Sequence, residues 1–375
     1  MPTSGFRFEV LARDGEARCG RLDTPRASIE TPVFMPVGTQ GTVKSQTPEE
    51  VEATGSRILL ANTYHLMLRP GAELVAELGG LHRFMGWPHA VLTDSGGFQV
   101  FSIAKLRRLT DDGVTFRNHL DGSEHRLTPE RSMQVQALLG SDIAVVLDEC
   151  PPGDADRRAI EGAVERTTAW ARRCLAVEAP AGQARFGIVQ GGVQVDLRLG
   201  HLQRVAEMPF DGIALGGFSV GEPVEQMYDA LLAVAPAMPA ERPRYLMGVG
   251  RPLDLLRAIG SGMDMFDCTI PTRNARNGQA LTWSGRVNIK QARHARDDAP
   301  LDARCRCPVC SKYSRAYLRH LALAGEILVG RLLTQHNLHF YQQLMDAARR
   351  AIRRGEYGRF ARETEARMAD GDEVG

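Results

Sequence analysis

Two aspartates, Asp94 in TDSGGFQV and Asp267 in MDMFDC, each stand at the end of a short apolar run. A lone Asp after a strand commonly caps a helix or closes a turn. Here Asp148-Glu149 and Gln190 end two further runs of the same kind, and a core does not tolerate such a gathering unless it is used or hydrated. A carboxylate pair suits glycosyl transfer, one member attacking an anomeric carbon while the other handles protons. Gln190, Asp148 and the Gly216-Gly217 backbone add mixed donors and acceptors fit for the edge of a heterocyclic base. Phe98 and Met247 could sandwich a flat ring, although each also reads as plain core.

A second constellation is Cys305-x-Cys307-x-x-Cys310. Three soft ligands in one tight turn need a fourth to close a tetrahedral zinc site, and His336 is the best candidate, with His339 and His320 as competitors. Three thiolates and an imidazole leave no open position, so the expected metal holds structure and does no catalysis. The alternative is three surface thiols, an oxidation liability.

The elements that would position these groups repeat. Eight short apolar runs (31–37, 56–62, 89–95, 142–149, 184–190, 211–217, 244–249 and 263–268) alternate with amphipathic stretches. Near-continuous apolar strands are what a parallel sheet buried on both faces requires, and eight alternations point to a (β/α)8 barrel. A doubly wound open sheet is the alternative. In a barrel the polar ends of the strands converge on one mouth. The expected organisation is a barrel over 1–270 with an N-terminal hairpin around Asp14-Gly15 and a hairpin insertion at 113–128. A basic zinc-binding subdomain follows at 271–336, then a final helix at 337–353 packing back on the barrel, and a loosely held tail at 354–375.

The 375 residues are 43% hydrophobic and 24% charged, which excludes disorder as the dominant state. No apolar run reaches membrane-span length and no signal-peptide pattern opens the chain, so the expectation is a soluble, cytoplasmic protein. Net charge is only +1, yet Pro271 to His320 holds eleven Lys and Arg against three acids. That is either a solvated basic face or a phosphate-binding surface.

Across these residues the sequence resembles the bacterial-type tRNA-guanine transglycosylases, the queuine tRNA-ribosyltransferases. The likeness runs from PVFMPVGTQGTVKS through ANTYHLMLRPG, DSGGFQVFS, GSDIAVVLDEC, YLMGVGRP, MDMFDCTIPTRNARNGQAL and the cysteine cluster to HNLHFYQQLM. It implies a cytoplasmic pentosyltransferase of queuosine biosynthesis that exchanges guanine at the wobble position of GUN-anticodon tRNAs (Asp, Asn, His, Tyr) for preQ1. By the same resemblance Asp267 is the nucleophile of a covalent ribosyl-enzyme and Asp94 the acid/base. Ser95, Asp148, Gln190 and the Gly217 amide contact the base edge, Phe98 and Met247 stack on it, and the Phe218 carbonyl meets the aminomethyl group. Arg251, Arg273 and Arg276 hold anticodon phosphates, and Cys305, Cys307, Cys310 and His336 bind one structural Zn2+ per subunit. Cys150 and Val220 match the preQ1-using form, and Tyr313, Tyr317 and His320 fit a homodimer interface. The chain departs from the usual pattern at Phe218 and Ser219 (GGFSVGE against GGLAVGE), at Gly192 and in DECPPGDADRRAI.

Three rivals make different demands. A non-catalytic tRNA-binding subunit would lack a catalytic acid, whereas Asp94 and Asp267 are both present. A sibling transglycosylase using another 7-deazaguanine would carry a further RNA-binding domain, and a zinc hydrolase an open metal position.

Overall fold

The computed structural model describes residues 5–103 and 107–373. Eight parallel strands form one sheet: β1 Val33–Pro36, β2 Ile58–Ala61, β3 Ala90–Thr93, β4 Ile143–Val145, β5 Ala184–Val189, β6 Gly212–Leu215, β7 Arg244–Leu246 and β8 Met265–Cys268. Every residue of these strands is buried, as expected of a sheet covered on both faces. Neighbours pair in chain order, and β8 returns to β1 with Asp267 opposite Met35. A parallel bridge from Val37 to Leu60, with Gly38 N–H donating to the Leu60 carbonyl at 2.6 Å, joins the remaining edges. The fold is therefore an α/β (β/α)8 barrel and not an open doubly wound sheet.

Local chemistry sets the helix starts. Thr47 and Glu50 form a reciprocal capping box ahead of Pro48–Ala53, and Thr128 and Asp156 cap Pro129–Leu139 and Arg157–Ala176.

Several boundaries differ from the sequence expectation. The N-terminal hairpin (Arg7–Asp14, Ala17–Asp23) gains a third strand, Ser28–Thr31. The insertion is likewise three-stranded, because Arg107–Thr110 pairs with Gly113–Arg117 ahead of Glu124–Leu127. The long helix starts at Ile327, ten residues before the expected 337, and ends at Arg353 as read. Of the expected loose tail 354–375, residues 354–373 are not loose, since Tyr357–Glu373 is helical, with Tyr357 and Met368 buried; Val374 and Gly375, like residues 1–4, lie outside the described part.

Segment 271–326 has a small core of its own, including Ala275, Ala280, Ile289, Leu301, Val309 and Leu318. Helix Ile327–Arg353 joins it to the barrel. Its first half contributes Leu332 and Leu333 to that small core, and its second half contributes Phe340, Tyr341, Leu344 and Met345 to the main one. Asn337 ties the two together, accepting from Leu281 N–H at 2.8 Å and donating to the Pro271 and Gln279 carbonyls.

The end of the barrel opposite the strand C-termini is sealed by a buried ion pair. Arg18, from the N-terminal sheet, donates to Asp264 just before β8 and to the carbonyls of Ala240 and Arg242 at 2.8 and 2.7 Å. Arg18→Met should cost about 3–5 kcal/mol of unfolding free energy, because it strands Asp264 without its cation. Urea melts measure this directly; a loss below about 1 kcal/mol would show that the pair behaves like an exposed one.

Candidate active site and metal centre

The C-terminal ends of the strands surround a cavity of about 440 Å³, lined among others by Asp94, Ser95, Phe98, Asp148, Met247 and Asp267. Gly217, Phe218, Cys150, Val220 and Arg273 also line it. Asp94 follows β3 and Asp267 lies within β8, so the barrel brings together two residues 173 positions apart.

Asp267 is held from one side. Tyr245 O–H and Gly248 N–H both donate to its Oδ1, at 2.6 and 2.9 Å, and no donor among the described residues meets Oδ2. Asp94 is held from both: Thr63 N–H reaches Oδ1 at 2.8 Å, while Asn62 Nδ2 and Gln99 Nε2 reach Oδ2. Burial pushes the Asp94 carboxyl up to about 6 against the pull of these donors, and the charge of Asp267 adds to the rise. Burial also raises Asp267, opposed by the Tyr245 and Gly248 hydrogen bonds. The carboxylates thus sit where their charge is poorly solvated and available for chemistry.

Asp148 receives Ser95 Oγ at 3.0 Å and Gln190 Nε2 at 2.6 Å, and burial lifts it too to about 6. Gln190 is fully buried behind the cavity wall, with its Oε1 unpartnered, so it stands behind Asp148 and not on the lining. Gly217 has φ +67°, and a Cβ there would lie 2.3 Å from Gln190 Oε1, so only glycine lets this loop close on Gln190.

The three arginines divide. Arg273 borders the cavity and also a second one of about 480 Å³, which Arg251, Arg257 and Arg286 line as well. Arg251 forks onto Asp254 at 2.9 and 3.0 Å. Arg276 lines neither cavity and donates to the Thr272 carbonyl.

Sequence reasoning did not assign roles to Tyr245, Gly248, Asn62 and Gln99. Asn62 ends the 56–62 apolar run and Gln99 lies five residues beyond Asp94, so both carry a signal in the sequence. Tyr245 lay inside an apolar run, where its hydroxyl gave no signal.

The ligand atoms of Cys305, Cys307, Cys310 and His336 all lie within 4.8 Å of one another. His336 Nδ1 is 3.5 Å from Cys307 Sγ and 3.3 Å from Cys310 Sγ, and its other ring nitrogen donates to the Leu281 carbonyl at 3.0 Å. That outer hydrogen bond fixes the tautomer that frees Nδ1 for a metal. The cluster can hold a metal ion; His320 and His339 are not part of it.

Fold and site together describe a (β/α)8 protein whose mouth joins a buried carboxylate pair to a basic rim. A family model described as queuine tRNA-ribosyltransferase matches residues 14–370. A queuine tRNA-ribosyltransferase of Sorangium cellulosum is 62% identical over 361 residues, spanning 96% of this chain and 91% of the relative. Proteins of the same name from Solidesulfovibrio magneticus (57%, spanning 97% of this chain and 98% of the relative) and Cereibacter sphaeroides (54%, 99% of each) are similar throughout. The chain belongs to the queuine tRNA-ribosyltransferase family. Among the described residues no helix is long and apolar enough to cross a membrane.

Cys305→Ser should lower bound metal well below one ion per chain and reduce the melting temperature, since a closed metal site contributes folding energy outright. Metal analysis beside a thermal melt checks both; full stoichiometry in the variant would remove Cys305 from the ligand set.

Proposed function

We propose that this protein is a cytoplasmic tRNA-guanine transglycosylase that replaces guanine at the wobble position of GUN-anticodon tRNAs with preQ1. The observation that carries this reading is the placement of Asp94 and Asp267 on one cavity whose wall passes, at Arg273, into an arginine-lined groove. A reaction on the sugar of a polyanion needs both features: a carboxylate pair for the anomeric centre and cations for the flanking phosphates.

In this mechanism Oδ2 of Asp267, the oxygen without a donor, attacks C1′ of the wobble ribose. The C1′–N9 bond breaks, its electron pair leaves with guanine, and a ribosyl ester of Asp267 forms. N9 of the incoming base then attacks C1′, the ester C–O bond breaks and the Asp267 carboxylate is restored. Asp94 takes the N9 proton and gives it up to solvent, from which the expelled guanine regains one at its own N9, and the raised pKa of Asp94 makes it a better proton acceptor than an exposed carboxylate. Tyr245 and Gly248 hold Oδ1 throughout, so the attacking oxygen keeps its direction.

Asp148 and Ser95 present an acceptor and a hydroxyl to the base edge, with Gln190 supporting Asp148 from behind. Gly217 and Phe218 offer backbone groups to the opposite side, and Phe98 and Met247 cover its faces. Cys150 and Val220 on the lining fit a small preQ1 substituent. Arg251, Arg273 and Arg276 serve the anticodon phosphates. Three thiolates and one imidazole suit zinc in a closed tetrahedral site, one ion per subunit, with a structural role. Tyr313 stacks on Tyr317 with ring centroids 5.4 Å apart, and Ile327, at the start of the following helix, is 88% exposed, which supports a homodimer that covers these residues.

The direct test is incorporation of radiolabelled guanine, and separately of preQ1, into an unmodified GUN-anticodon tRNA, beside a tRNA with another wobble base. Incorporation into the first alone is expected; tRNA binding with no exchange would overturn the reading. Asp267→Asn should keep tRNA affinity, form no covalent adduct on denaturing gels and lose about three orders of magnitude or more in exchange rate. Wild-type exchange by this variant would exclude Asp267 as nucleophile.

The pH profile follows from Asp94. The proton acceptor must be ionised, and with a pKa of about 6 it is charged above that pH and neutral below it. Exchange should fall as pH drops through about 6, and Asp148, lifted to the same range, steepens the fall if the base edge needs its charge. A profile flat down to pH about 4.5 would contradict Asp94 as the base.

A further inference from the structure

Arg198 is a fully buried cation, and among the described residues it forms no ion pair or hydrogen bond with a carboxylate; Glu222 acts on it only through its charge. It sits in helix Val195–Ala206, and its guanidinium hydrogens go to main-chain carbonyls at the ends of two neighbouring strands. Nε donates to Gly192 and Nη1 to Val189 at 3.3 Å, beyond and within β5; Nη2 donates to Gly216 at 2.9 Å and Gly217 at 3.3 Å, beyond β6. Its central carbon lies 3.6 Å from the centre of the Phe218 ring. Gly191 is what allows this approach, since a Cβ there would stand 2.6 Å from Arg198 Cγ.

The peptide plane gives the arrangement a direction. In a trans peptide the carbonyl and the following N–H point opposite ways. With the Gly216 and Gly217 carbonyls turned onto Arg198, the N–H groups of Gly217 and Phe218 must point away from it. Gly217 and Phe218 line the cavity and Arg198 does not, and neither N–H has a hydrogen-bond partner among the described residues.

We propose that Arg198 is a positioning residue for base recognition: it pins two successive carbonyls so that the amides of Gly217 and Phe218 face the cavity as fixed donors for the carbonyl edge of a purine-like base. Phe218 completes the clamp by stacking on the guanidinium, a contact that a leucine there would not make. The inference rests on the base-exchange reading and adds to it a residue that never touches the base. Burial lowers Arg198 to about 9, so it remains charged at neutral pH and its carbonyl contacts stay charge-assisted.

The test uses the full chain as wild type, Arg198→Lys and Phe218→Leu, with guanine titrated calorimetrically and base exchange measured alongside. Lysine keeps the charge but cannot fork across the carbonyls. Arg198→Lys should weaken guanine binding about tenfold and Phe218→Leu about threefold, with tRNA affinity unchanged. In exchange assays the loss should fall on KM for guanine, whereas simple loss of folded enzyme would lower kcat and leave KM alone. Guanine affinity within about twofold of wild type in a folded Arg198→Lys overturns the proposal, as does a fall confined to kcat. Should Arg198→Lys fail to fold, Phe218→Leu decides by the same criteria. A wild type that binds guanine without exchanging it would defeat the transglycosylase reading while calorimetry still judges Arg198; one that binds no guanine would defeat both.

Discussion

Asp94 and Asp267 are carboxyls buried in surroundings that favour their neutral forms, and much of the barrel mouth is arranged to hydrogen-bond them against that pull. Removing a carboxylate from water is costly unless hydrogen bonds replace the lost solvent. Asn62, Thr63 and Gln99 supply three donors to Asp94, and Tyr245 and Gly248 supply two to Asp267. For Asp94 these donors hold the carboxyl only to about 6, so burial remains the stronger effect. Further donors would make a better-solvated but weaker base, and fewer would leave it protonated at neutral pH.

Strand β8 shows how the barrel separates this demand from stability. Asp264 and Asp267 are three residues apart, roughly 10 Å along an extended strand. Asp264 meets Arg18 in a fully buried ion pair at the closed end, and among the described residues Asp267 meets only neutral donors at the open end. The same side chain is neutralised by a cation where it holds structure and, among the described residues, hydrogen-bonds to none where it faces the cavity. Helix Ile327–Arg353 extends that rigidity to the basic segment. His336 faces the thiols, Asn337 fastens the strand Gln279–Thr282, and Tyr341 donates to the Gly250 carbonyl, two residues beyond the amide that holds Asp267. A metal held by His336, ten residues into this helix, would therefore also steady the support of the mouth.

The eight strands were legible because a parallel sheet buried on both faces leaves uninterrupted apolar runs, and their polar last residues marked the mouth. The cysteine spacing was legible because few structures need three thiols in six residues. Features that depend on partners distant in the chain were less so. Arg107–Thr110 and Ser28–Thr31 are four-residue strands defined by the hairpins they join. Ile327 and its neighbours begin a helix on a face exposed in the single chain, where apolar periodicity gives no start signal. Arg198 reads as the polar face of an amphipathic helix, because periodicity reports polarity, whereas its four carbonyl acceptors come from the ends of two separate strands. Gln190 was correctly placed at a strand end, but which layer of the mouth it occupies is set by the close approach of Gly217.

A phosphate chain arriving at the mouth would raise the pKa of any carboxylate it approached, since like charges disfavour ionisation. A carboxylate base already near 6 has little room for such a rise before it is protonated at neutral pH. Arg273, on the wall shared by the acidic cavity and the arginine-lined groove, stands where it can offset that effect. Under the proposed function its role would be double: it would contribute to RNA affinity, and it would limit the field that bound RNA imposes on the two cavity carboxylates. Groove arginines farther from the shared wall, such as Arg257, would contribute to the first and, through screening by solvent, much less to the second.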